Sequence, residues 1–248
     1  DSIGVVATYI DEKGFIRFAQ VGGLFKGDLI NIQVQFAGGT RGVISYEEKT
    51  PFKDITLDNL FIDIGAADRA DAERQVQIGD FAVFDAPRFE QNGVLCGPYL
   101  DNRIGCVTLL LAMERLAQQE IENDLYFAFT AQEEVGLRGA GAAAFAVEPD
   151  IAVAVDVTDT GDLPERKTPM AVDMGRGPAV KVMDRSVICT ILQFGGTDTA
   201  ALQKTRAGVQ AGAVSIPTRY IHSPSEMCAV SDVEAAARLL EKFVLQQK

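Results

Sequence analysis

The chain has no tryptophan, only 5 tyrosines and a single histidine, His222, among 248 residues. Clefts that cleave polysaccharides need flat aromatic platforms, so this shortage argues against a sugar-processing site. Basic residues are also scarce: 23 Lys and Arg against 35 Asp and Glu leave a net charge of −12. A surface that negative repels phosphate backbones and anionic headgroups, which disfavours nucleic acid and membrane surfaces as partners. No run approaches the roughly 18 apolar residues of a membrane span, and residues 1–30 lack the basic-then-apolar plan of a signal peptide. The chain therefore reads as cytoplasmic. Cys96, Cys106, Cys189 and Cys228 are widely spaced with no CxxC pair, so neither a zinc ribbon nor a disulfide framework is indicated. Metal ions and cationic or amine-bearing ligands suit this charge better.

The chain changes character near residue 94. Before it, strand patterns of period two dominate. Apolar residues alternate through Ile30, Ile32, Val34 and Phe36, and Gly38-Gly39 marks a turn. Runs at 42–44, 60–64 and 81–84 repeat the theme, and together they predict a small β-barrel or sandwich. After residue 100, apolar strands alternate with helical spacing, which predicts an α/β layer with a largely parallel sheet. Its expected strands are Leu125–Thr130, Ile151–Val157 and Ala213–Ile216, with a helix over Ile104–Leu116. Ser231-Asp232-Val233-Glu234 reads as a capping box opening the last helix.

Acids gather where these strands stop. Leu125–Thr130 runs into Glu133-Glu134, Ile151–Val155 into Asp156, and Asp101 precedes a helix. In an open α/β sheet the carboxyl ends of the strands form the ligand rim. His222 follows the Ala213–Ile216 strand and joins them. Carboxylates converging at low dielectric need neutralising, and oxygen donors with one imidazole suit Zn²⁺, Mn²⁺ or Co²⁺. Each residue also fits a plainer role taken singly: a helix start, a solvated turn, a strand-end acid, a loop histidine.

Six motifs occur in order: Leu100–Gly105, Gln132–Ala140, Val155–Thr158, Gly175–Pro178, Gly195–Asp198 and Arg219–Glu226. Together they resemble those of a known family, the dinuclear-metal aminopeptidases that form tetrahedral dodecamers. The family is known as glutamyl aminopeptidases, and some members carry the name endoglucanase. The resemblance implies an αβα catalytic domain of the phosphorylase/hydrolase-like kind over residues 94–248, with residues 1–5 a fragment of it. It implies an inserted β-barrel over residues 6–93 that assembles dimers and restricts access. It further implies two divalent ions, Zn²⁺ or Co²⁺, bridged by Asp101, with Glu134 and His222 completing one ligand set and Asp156 binding the other ion. Glu133 falls on the general base that activates a metal-bridging water. Gly196, Thr197 and Asp198 fall on a loop near the substrate side chain, and Asp1 on an acid behind the metals. Short peptides would be trimmed from the N-terminus by a homo-oligomer built from dimers, up to a dodecamer.

Two departures stand out. The family's His-x-Asp-Glu-Ile-Gly motif would place a ligand histidine two positions before Asp1, so one ion's ligand set is incomplete as written. At Thr190-Ile191 two strand-like runs abut where a crossover of a dozen residues or more is expected. Either residues are omitted at both places, or the chain is a non-catalytic or partly metallated subunit. An endoglucanase using paired carboxylates alone is the remaining alternative.

Overall fold

The computed structural model describes residues 3–165, 170–181 and 196–247. Asp1 and the Thr190-Ile191 seam lie outside the described residues. The first region is a closed six-stranded barrel. Its strands are β1 (Gly4–Ile10), β2 (Ile16–Val21), β3 (Gln33–Phe36), β4 (Arg41–Tyr46), β5 (Leu60–Asp63) and β6 (Phe81–Phe84). They run in the order β1-β2-β5-β4-β3-β6, and β6 pairs back onto β1. Alternate residues point inward, so Val5, Ile16, Val34, Ile44 and Ile62 are all fully buried in one core. Two short helices, α1 (Lys26–Leu29) and α2 (Arg69–Glu73), fill connections. The alternation read from Ile30 onward yields a strand only from Gln33. Asn31 takes a left-handed conformation at φ 63°, which turns the chain before the ladder begins.

The second region carries β7 (Phe89–Gln91), β8 (Val94–Gly97), α3 (Leu100–Leu116), α4 (Arg138–Val147) and β9 (Ile151–Thr158). It continues with β10 (Ala179–Lys181), α5 (Thr199–Gln203), β11 (Gln210–Arg219), β12 (Glu226–Ala229) and α6 (Val230–Gln246). The strand order is β10-β11-β12-β8-β7, with β9 beside β11. The boundary read at residue 93 falls within the β7–β8 hairpin. Among the described residues only β9 and β11 pair in parallel; every other pairing in this sheet is antiparallel, against the expectation of a largely parallel sheet. The short β7–β8 turn can join only antiparallel strands, and alternating apolar runs do not encode direction.

Helices α3 and α6 pack on the sheet through Ile104, Ala112, Val233, Ala236 and Leu240, against Val157, Val214 and Ile216. The α6 positions fall on one stripe of a 3.6-residue helix. No helix among the described residues is long and apolar enough to cross a membrane.

Two local expectations fail. Leu125–Thr130 forms no ladder among the described residues, and Leu125, Tyr126 and Phe129 are exposed. An apolar run becomes a strand only where its backbone groups meet a partner. The capping box is also absent: α6 starts at Val230 directly out of β12, with no side-chain cap. The Val230 N–H is satisfied by the Gly93 carbonyl, and the fully buried Asp232 accepts instead from the Gly175 and Gly177 N–H groups.

Candidate metal centre

Asp101 is delivered by an anchor in the barrel. Tyr99 belongs to the barrel core, where its ring stacks on Phe84 at 5.8 Å and its hydroxyl accepts from the Phe84 N–H at 2.5 Å. Its backbone is left-handed at φ 66°, and Asp101 and Asn102 depart from helical angles inside α3, with a cis peptide between them. Asn102 then pins this turn to β9: its amide donates to the Val155 carbonyl at 2.8 Å, and its oxygen accepts from Gly105 at 3.1 Å. Gly105 must be glycine, because a Cβ there would lie 2.1 Å from Asn102 Oδ1 and 2.9 Å from the Val155 oxygen. The neighbour of Val155 is Asp156, so one amide ties together two acid-bearing segments.

Glu133 and Glu134 occupy a tight turn before α4. The N–H groups of Gly136 and Leu137 both bond the Glu133 carbonyl, and Gln132 and Leu137 are left-handed at φ 66° and 56°. His222 lies beyond β11 with φ 68°, after Tyr220 at φ 58°. Left-handed non-glycine residues cost about 1–3 kcal/mol each and persist only where their surroundings over-determine them. Five of them, Tyr99, Gln132, Leu137, Tyr220 and His222, lie in the segments that bring the predicted ligands together.

The result is a close triad. His222 Nε2 lies 3.3 Å from Glu134 Oε1 and 3.4 Å from Asp101 Oδ2, and the ligand atoms of all three lie within 4.8 Å of one another. Ligands about 2.0–2.1 Å from a common tetrahedral ion are separated by roughly 3.3 Å, so the two distances from His222 match the spacing of ligands on one divalent cation. The electrostatics fit as well. Burial raises Asp101, the Glu134 charge adds to this, and His222 opposes it. Burial also raises Asp156 well above the carboxylate range, with Asp101 and Glu133 adding repulsion. Burial pulls His222 downward, but hydrogen bonds to Asp101 and Glu134 prevail and push it up to about 10. This acid cluster needs positive charge, from protons or from a cation.

Glu133 is pushed up to about 8, first by burial and then by the charges of Glu134, Asp101 and Asp198. A carboxyl tuned toward neutrality beside an anionic cluster suits proton transfer. Asp198 accepts from the Thr130 hydroxyl at 2.6 Å, while its other oxygen is buried and has no hydrogen-bond partner among the described residues.

The family model described as M42 glutamyl aminopeptidase matches residues 1–239. The chain belongs to this family. It is 45% identical, over 98% of its length and 80% of the relative's, to a protein of Acetivibrio thermocellus named "Putative aminopeptidase". An aminopeptidase structure from the archaeon Desulfurococcus kamchatkensis superposes with a TM-score of 0.93 at 32% identity, covering 100% of this chain and 78% of that one. The TET1 peptidase of Pyrococcus horikoshii, which can assemble into a tetrahedron or a large octahedral shell, gives 0.84 at 31% identity, covering 100% and 82%. The M42 chain is thus an α/β peptidase fold with a closed barrel.

Asp101, Glu134 and His222 meet at one centre. Asp156 lies near enough to feel the charges of Asp101 and Glu133, but outside the triad. Of the loop residues, Gly196 is exposed, Asp198 neighbours Glu133, and Thr197 is fully buried with its hydroxyl 2.9 Å from Thr199. Sequence reasoning missed Tyr99, Asn102, Glu226 and Gly23. A Cβ on Gly23, in the barrel, would lie 3.0 Å from His222 Nδ1. Only Glu226, an acid four residues beyond the sole histidine, left a visible signal.

Proposed function

We propose that this M42 chain is a metal-dependent aminopeptidase of the cytoplasm that removes N-terminal residues from short peptides. The observation that supports this reading most is the Asp101, Glu134 and His222 triad with ligand atoms within 4.8 Å. Asp101, Glu134 and His222 would hold one Zn²⁺ or Co²⁺, and Asp101 with Asp156 would take part in holding a second. Such ions polarise a scissile carbonyl and acidify water when bound. The remaining steps belong to the chain's own side chains. Glu133 takes the proton from the attacking water and returns it to the leaving amine. The anionic rim attracts the free α-amine of a peptide and so selects its N-terminus. Gly196 and Asp198 flank the substrate side chain. The barrel assembles dimers into a larger homo-oligomer, a reading supported by the shells formed by the horikoshii peptidase.

Hydrolysis of aminoacyl reporter amides by metal-stripped protein, with and without added Zn²⁺, Co²⁺ or Mn²⁺, tests this. Activity that appears only with metal, alongside two ions per subunit, supports it. Metal-independent hydrolysis, or no hydrolysis with any of the three, contradicts it.

A further inference from the structure

Glu226 opens β12, between β8 and β11, and is 1% exposed. Its Oε2 accepts from the Asp101 N–H and its Oε1 from the His222 N–H, each at 2.9 Å. We propose that Glu226 is the positioning residue of the metal centre: one buried carboxylate holds the main chains of Asp101 and His222 at a fixed separation and thereby sets the gap between their ligand atoms. This inference rests on the metal reading above.

Three observations carry it. First, the two residues it grips have backbones outside regular structure, His222 at φ 68° and Asp101 in a non-helical turn within α3. Neither N–H is spent on a ladder or a helix, and both converge on the same side chain. Secondly, only an acceptor-only group answers two N–H donors at once; a carboxamide would accept one and oppose its own N–H to the other. Thirdly, the grip stands on a firm base, because Glu226 is paired with Gly97 in β8 and its strand also pairs with β11, which leads into His222. A further acid beside Asp101 adds repulsion to an already anionic cluster, a cost that packing alone would not call for.

The test uses metal-stripped full chain, titrated with Co²⁺ and followed by visible absorption and by cobalt counted after dialysis. Glu226→Gln is expected to keep the wild-type far-UV circular dichroism while binding Co²⁺ roughly 10–100-fold more weakly, with shifted absorption bands. Glu226→Asp, which keeps the charge but falls short by one methylene, is expected to show the same weakening. Wild-type affinity and bands in either folded variant overturn the proposal. Loss of the fold in both variants makes Glu226 a general structural residue and also overturns it. Wild-type protein that takes up no Co²⁺ contradicts the metal reading itself, whereas wild-type uptake matched by the variants removes only the role of Glu226.

Discussion

Gly23 of the barrel closes over the imidazole of His222, so that a Cβ at position 23 would stand 3.0 Å from His222 Nδ1 and 3.2 Å from its Cε1. The barrel is therefore a wall of the candidate metal centre as well as a separate core. Gly23→Ala is expected to displace the imidazole by a few tenths of an ångström and to lower peptide hydrolysis by about 10- to 100-fold with the fold retained. Gly38→Ala, whose Cβ meets nothing within 4 Å, serves as the control and is expected to keep wild-type rates. Equal rates in the two variants would separate the barrel from the site.

Contacts of this kind explain what sequence could and could not show. Periodicity exposed the barrel strands around Val34 and Ile44, and a continuous apolar run exposed the strand read at Ile151–Val157, because each is a local pattern of burial. Acids at the ends of apolar runs, with one histidine, were legible as a cluster that is expensive to gather without a cation; that Asp101, Glu134 and His222 are the ligands among them was implied only by the resemblance of their motifs to the family's. Gly23 and Tyr99 were not legible, since their partners are His222 and Phe84, and no spacing rule connects them. Leu125–Thr130 was misread because an apolar run says nothing of which backbone will pair with it. Ser231 and Glu234 fitted a local cap that lost to a long-range alternative, Asp232 gripping Gly175 and Gly177.

Tyr99 links the two cores just before Asp101. Tyr99→Phe preserves the ring that stacks on Phe84 but leaves the buried Phe84 N–H without its acceptor, at a cost of about 1–3 kcal/mol. Urea unfolding of the two proteins at neutral pH is the measurement. An unchanged midpoint would show that this hydrogen bond contributes nothing net.

Asp162 supplies a pH-dependent contribution away from the triad. Arg219 donates to it from Nη2 at 2.6 Å and from Nε at 3.2 Å, and these bonds hold its carboxyl down at about 2. Since the unfolded value is about 3.9, the stabilisation is complete above that pH and is lost as pH falls toward 2. The gap in thermal midpoint between wild type and Asp162→Asn is expected to be wide at about pH 6 and narrower at about pH 3. A gap that stays constant or widens with acid contradicts this assignment.

Glu133→Gln separates proton transfer from metal holding. Hydrolysis is expected to fall about 10²- to 10⁴-fold, whereas Co²⁺ uptake remains at the wild-type level. Parallel loss of both would make Glu133 a ligand, and full activity would remove it from the chemistry.

The central claim is that Asp101, Glu134 and His222 share a divalent ion. Anomalous diffraction from cobalt-loaded crystals of the protein reads this directly. The account predicts a cobalt peak about 2.0–2.2 Å from His222 Nε2 and from carboxylate oxygens of Asp101 and Glu134. Cobalt bound elsewhere, with these three side chains left out of its coordination sphere, would contradict it.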